Sequence, residues 1–173
     1  FQPGSMMDVR SRSLPDPDRR VMDRISKLNK NEIGFHEINK IQQNGEDLNH
    51  HIQGTILEVE LIKPLLPNQS TSLYLEYFSQ VPSQIRRSGR NNKEGIDYSM
   101  AQWFPKMAEY DKNGWHANPY IAREFYAPWG DFDVSISIHK NYIIGATGIL
   151  LNKIKEGNKF IWNFEAKNVH DFV

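Results

Sequence analysis

From residue 32 onward apolar and polar positions alternate in short runs, the two-residue period of a strand with one dry and one wet face. Leu57, Val59 and Leu61 are separated by Glu58 and Glu60, and Leu73, Leu75 and Tyr77 repeat the spacing. Val134, Ile136 and Ile138 are interleaved with Asp133, Ser135, Ser137 and His139, and segments 141–146 and 160–164 continue the pattern. Residues 33–42 run into Asn44-Gly45, a dipeptide that tolerates the positive φ angles of a tight hairpin. Pro64 and Pro67-Asn68 mark a turn, and Pro82 ends the strand that holds Leu75. One short helix is expected near the N-terminus, over 19–29. Val21, Ile25 and Leu28 fall at i, i+4 and i+7 there, and Asp18 can cap the first turn. These elements predict a mainly β domain, an antiparallel sandwich whose strands are joined by short turns.

The alternation stops between residues 83 and 131. Arg86, Arg87, Arg90, Trp103, Tyr110, Trp115, Tyr120, Phe125, Tyr126 and Trp129 lie there without a regular period. Such an irregular insertion is too long for a plain connector. Loops rich in aromatics and charge, carried on a rigid sheet, are where binding surfaces sit. A functional face is expected in this stretch.

Composition narrows the chemistry. The chain has 173 residues, enough for one domain with its own core. Its 21 Lys+Arg balance 21 Asp+Glu, which argues against nucleic acid as a partner. There is no cysteine, so disulfides, thiol nucleophiles and cysteine metal sites are excluded. No apolar run is long enough to make a membrane-spanning helix, and no membrane partner is expected. Residues 1–7, Phe1-Gln2-Pro3-Gly4-Ser5-Met6-Met7, read as a cleavage and cloning scar. Residues 8–173 then form the domain, expected to be cut short at both ends.

Each chemical motif has a plainer alternative. His36-Glu37-Ile38-Asn39-Lys40 falls one imidazole short of the zinc motif H-E-x-x-H and lies in a strand pattern instead of a helix. His50 and His51 are adjacent, so on a strand they face opposite ways; no metal site is expected. Glu109, Asp111, Glu124, Asp131 and Asp133 offer carboxylates for acid–base work, or simply cap and solvate loops. Arg86, Arg87 and Arg90 around Ser88-Gly89 form either an anion clamp or a solvated loop paired with nearby groups. Trp103, Trp115 and Trp129 suit either a sugar-stacking platform or a core and interface, and the second is the commoner use.

A longer likeness runs through Ile85-Arg86-Arg87-Ser88-Gly89-Arg90, Gly95-Ile96-Asp97-Tyr98-Ser99-Met100-Ala101-Gln102-Trp103-Phe104-Pro105-Lys106 and Gly130-Asp131-Phe132-Asp133-Val134-Ser135-Ile136. It takes in Tyr110-Asp111, Gly114-Trp115, Asn118-Pro119-Tyr120 and Glu124-Phe125-Tyr126 on the way. This resembles the N-terminal domain of zinc metallopeptidases of the aminopeptidase N family, in a form common among Bacteroidetes-like bacteria. The likeness extends from about Asp16 to Val173. Lys106-Met107-Ala108-Glu109 departs from the Cys-Asp-Glu-Pro-like run of many members.

The resemblance implies a saddle-shaped β domain packed over a catalytic domain of the same polypeptide. That second domain would carry the zinc ligands of H-E-x-x-H and the G-x-M-E-N loop; neither motif occurs here, so this chain alone is not expected to be active. The parent would hold zinc and release N-terminal amino acids from peptides. Gln102 matches the family position that borders the pocket for a substrate's first residue, and its amide both donates and accepts. Tyr98, Trp103, Phe104, Trp115, Tyr120, Arg86 and Arg87 are expected at an interface or pocket rim. A trimmed sheet leaves unpaired edges, so self-association along an edge is expected. Absence of cysteine fits cytoplasm and periplasm alike; the expectation leans to a periplasmic or secreted protein. The competing reading is a stand-alone β-sandwich module that binds carbohydrate or protein through its aromatic loop.

Overall fold

The structure, a computed structural model, describes residues 23–118, 126 and 128–173. Its strands in chain order are β1 (Phe35–Gln43), β2 (Glu46–Asp47), β3 (His50–Gln53), β4 (Ile56–Val59), β5 (Leu73–Gln80) and β6 (Gly89–Arg90). Then come β7 (Tyr98–Ser99), β8 (Tyr110–Asp111), β9 (Gly114–Trp115), β10 (Gly130–His139), β11 (Ile149–Glu156) and β12 (Lys159–Val169). Every strand pair is antiparallel, in sheets ordered β2-β1-β5 and β10-β12-β11 with three small hairpins, β3-β4, β6-β7 and β8-β9. The mainly β, antiparallel expectation holds.

Local chemistry explains the turns. Asn44 and Gly45 take φ of 52° and 91°, the left-handed pair that matches a hairpin to strand twist. In β10 the alternation seen in sequence becomes one covered and one solvated face, from Phe132 through Ile138.

Two expectations fail. Segment 141–146 is not a strand. Tyr142 turns the chain by donating to the His139 carbonyl at 3.0 Å, and the segment then crosses the sheet without joining a ladder. Ile144 and Ala146 reach the core, while Ile143 is 89% exposed. Alternation there reflects packing over a face, not pairing. The expected helix is only a 3-10 turn, Ile25–Lys27, among the described residues; positions 19–22 lie outside them. Asn29 stops it. Its amide side chain and backbone N–H bind Glu32, and its Oδ1 accepts from Asn31, an Asx-type competitor to helix continuation. Ile25 is nonetheless fully buried against Ile85.

Periodicity also passed over β3 and β11. The main core lies on one face of β10-β12-β11, where Trp162, Phe164, Ala166 and Phe172 are buried and Trp103, Phe104, Phe132 and Val134 pack around them. The C-terminal residues fold back onto it: Val173 N–H donates to Thr147 Oγ1 and its carbonyl accepts from Thr147 N–H, both at 2.9 Å. A second polar anchor, Gln43 in β1, is 4% exposed and binds both the carbonyl and the N–H of Lys63.

Candidate functional site

Gln102 lies in the loop between β7 and β8, exposed, with φ of 53°. Left-handed backbone costs a non-glycine residue about 1–2 kcal/mol, so surrounding contacts must hold it. Three do so. Gln102 N–H donates to Asp171 Oδ2 at 3.0 Å. One residue earlier, Ala101 exchanges hydrogen bonds with the Ser88 hydroxyl, accepting at 2.6 Å and donating at 2.9 Å. One residue later, Trp103 turns inward and its Nε1–H donates to the Phe172 carbonyl at 2.9 Å.

The same loop thus anchors the core and presents a polar residue outward. Trp103 meets Phe104 edge-on at 5.6 Å, and Phe104 meets Phe132 at 5.7 Å. Both rings are half-buried core elements, which is what their neighbours on β10 and β12 demand. Asp171, with its side chain 9% exposed, is charge-balanced by Lys106, whose Nζ is 3.7 Å from Oδ1 and also donates to the His170 carbonyl. An open cleft of about 210 Å³ lies alongside, with Phe104, Lys106 and Met107 facing Trp129, Asp131 and Phe132. Trp129 is 63% exposed and sets its ring edge against His170 at 5.2 Å.

A second aromatic group forms on the β8-β9 hairpin. Tyr110 and Trp115 are cross-strand partners with rings 4.9 Å apart, both largely exposed. Behind them Asp111 Oδ1 lies 2.9 Å from His116 Nε2. The His116 imidazole beside it and a hydrogen bond from Asn113 N–H hold the Asp111 carboxyl below the usual carboxylate range. His116 meets Tyr126 edge-on at 4.8 Å.

The expected site residues therefore separate. Gln102, Trp103 and Phe104 share one loop; Trp115 belongs to the hairpin; Tyr98, half-exposed, contacts Tyr142 at 6.0 Å. Arg86 is half-buried and Arg87 exposed, and both make contacts within the fold. Arg90 donates to the carbonyls of Val81 and Asn31, so this guanidinium staples backbone. Tyr120 lies outside the described residues. Sequence reasoning missed Asp171 and the ordering role of Lys106. Asp171 is 69 positions from Gln102, and nothing local marks it. Among the described residues no group of three or more His, Asp or Glu side chains is placed to hold a metal ion. Nor is any helix among them long and apolar enough to cross a membrane.

No protein-family model matches the chain, and no curated protein matches it in sequence. Among solved structures its fold is similar to a two-domain M1 zinc metallopeptidase, crystallised as a mutant bound to L-arginine. The TM-score is 0.54 at 17% identity, over 79% of this chain and 32% of that one. The likeness is one of fold, and this chain spans about a third of that protein's length.

Proposed function

We propose that this chain is the non-catalytic N-terminal domain of a zinc aminopeptidase-like metallopeptidase, forming one wall of a substrate cleft and docking a catalytic domain of the same polypeptide. The observation that carries the reading is the fold shared, over most of this chain, with part of a metallopeptidase. Gln102 supports it: an exposed amide on backbone held left-handed by a buried carboxylate is a pre-organised polar contact. In this reading the amide meets the amino end of a peptide, and the parent supplies zinc and the water-activating groups. The aromatic stretch between β7 and β10 supplies the docking surface.

The test is the longer chain. Reading onward from Val173 should reveal H-E-x-x-H and G-x-M-E-N, and the expressed parent should release amino acids from aminoacyl-arylamides in a zinc-dependent way. Gln102→Ala should lower kcat/KM roughly tenfold or more with an unchanged Tm, as loss of one polar substrate contact does. Unaltered kinetics would remove Gln102 from the cleft. Peptide hydrolysis by the 173-residue chain alone would overturn the assignment.

The exposed Tyr110, Trp115 and Trp129 favour a second reading, a stand-alone module that binds sugar or protein. Binding of oligosaccharides by the 173-residue chain, lost in Trp115→Ala, would support it against the first.

A further inference from the structure

The connection between β4 and β5 carries an apolar run that stays open to solvent. It reads Leu61-Ile62-Lys63-Pro64-Leu65-Leu66-Pro67, and every residue from 62 to 70 is exposed. Ile62, Leu65 and Leu66 are 47%, 51% and 55% exposed. Leu73, 37% exposed, extends the patch. It is the register partner of Gln43, so the two side chains share one face of the β1-β5 pair. Aliphatic residues scattered singly over a surface need no explanation, whereas a contiguous cluster marks a contact.

The backbone of this run is prepared to leave water. Pro64 and Pro67 carry no N–H. Lys63 has both of its backbone groups met by the Gln43 side chain, which accepts from the N–H at 3.1 Å and donates to the carbonyl at 3.0 Å. Gln43 is buried and also donates to Thr71 Oγ1, so the clasp is fixed from beneath. The Leu66 carbonyl accepts from Gln69 N–H at 3.1 Å, and Asn68 takes φ of 64° within that turn. Unmet backbone donors and acceptors are the main cost of setting an irregular loop against hydrocarbon, and these prolines and bonds reduce it.

Composition separates a lipid surface from a protein partner. Protein hot spots draw on Trp, Tyr and Arg, with Leu under-represented, and residues 61–67 hold only aliphatics, prolines and Lys63. We propose that this loop enters a lipid surface shallowly, with Ile62, Leu65 and Leu66 at the acyl boundary and Leu73 at its margin. Lys63 lies within the run, where its stem follows the apolar surface and its ammonium stays at headgroup level. The contact needs no spanning helix, so it departs from the expectation of no membrane partner, which rested on spanning length alone. Glu58 and Glu60, exposed on the approach to the loop, offset Lys63, so apolar burial and not lipid charge drives the contact. Four aliphatic side chains about half in solvent offer fewer carbons than one myristoyl chain, whose membrane affinity is about 10⁴ M⁻¹, so binding is reversible.

Flotation of the full chain with phosphatidylcholine vesicles at millimolar lipid tests it. The chain should float with these neutral vesicles, and neither added salt nor phosphatidylglycerol should change the bound fraction more than about twofold. Leu65→Glu and Leu66→Glu should each lower partitioning roughly tenfold with unchanged circular dichroism, since the exposed site tolerates the charge in water and not in lipid. Leu151→Glu, the same change at a half-exposed β11 residue, should leave partitioning within about twofold of the original. Leu66→Trp should add emission that brominated lipid quenches. A chain that stays in the buffer, or that binds only anionic vesicles at low salt, overturns the proposal. So does binding that Leu151→Glu weakens as much as Leu66→Glu. Self-association through Leu65 and Leu66 without vesicle binding also overturns it and assigns the loop to a protein contact.

Discussion

Replacing Gly148 by alanine separates two physical costs that glycine avoids. Gly148 has φ of 83°, and a Cβ there would lie 2.1 Å from the Glu165 carbonyl oxygen and 2.7 Å from the Ala166 Cβ. Glu165 and Ala166 belong to β12, the central strand, laddered on both sides, and Ala166 is 1% exposed. That backbone cannot retreat without breaking hydrogen bonds. The left-handed conformation alone costs alanine about 1 kcal/mol, and overpacking against immobile backbone adds about 1–3 kcal/mol. Gly148→Ala should therefore cost about 2–4 kcal/mol. Gly157 provides the control, with φ of 60° and nothing within 4 Å of the added methyl. Gly157→Ala should lose only the conformational part, about 1 kcal/mol. In urea the midpoint should fall for both with unchanged m, and by two to four times more for Gly148→Ala. In a scan that amounts to roughly 5–15 °C for Gly148→Ala, at about 2–4 °C per kcal/mol for a chain of this size. Equal losses for the two variants would refute the claim that close approach to β12 requires this glycine.

Phe172 is 1% exposed and contacts Phe132 and Phe164, so Phe172→Ala should cost about 3–5 kcal/mol in urea unfolding; a loss below 1 kcal/mol would show that the C-terminal fold-back is not part of the core. Gln43→Leu removes the partners of the Lys63 N–H and carbonyl and should cost about 1–3 kcal/mol, with faster hydrogen exchange at the Lys63 amide as the local signature. Unchanged exchange there would count against the anchor. The Asp111 carboxyl should titrate by NMR below an ordinary aspartate. Because its folded pKa lies below its unfolded one, its contribution to stability is present above the ordinary carboxylate range and is lost as pH falls through the folded value. His116→Phe should return the Asp111 midpoint toward the ordinary value, and a midpoint that stays put would assign the shift to other groups.

The candidate site was legible only in part. The loop Gln102-Trp103-Phe104 stands out in sequence because polar and aromatic residues adjoin, yet its division into an outward amide and inward rings depends on where the chain ends in space. Phe172 receives the Trp103 N–H and Asp171 receives the Gln102 N–H, contacts that close loops of 69 residues each. No window of sequence contains both ends. The basic loop illustrates the same limit, since Arg90 resembles an anion ligand until Val81 and Asn31 are seen to accept its hydrogen bonds.

What the sequence determined by itself was local: two-residue alternation made β5 and β10 strands, Asn44-Gly45 made a hairpin, and absence of cysteine closed off thiol chemistry. These outcomes follow from steric and hydrophobic preferences that act within a few residues. Tertiary structure alone decided that 141–146 crosses a face and that β11 completes the edge of a sheet. It alone decided that Gln102 is held left-handed by a carboxylate near the C-terminus. Those outcomes depend on which distant groups meet, and strand pairing and buried hydrogen bonds reward partners that periodicity cannot name.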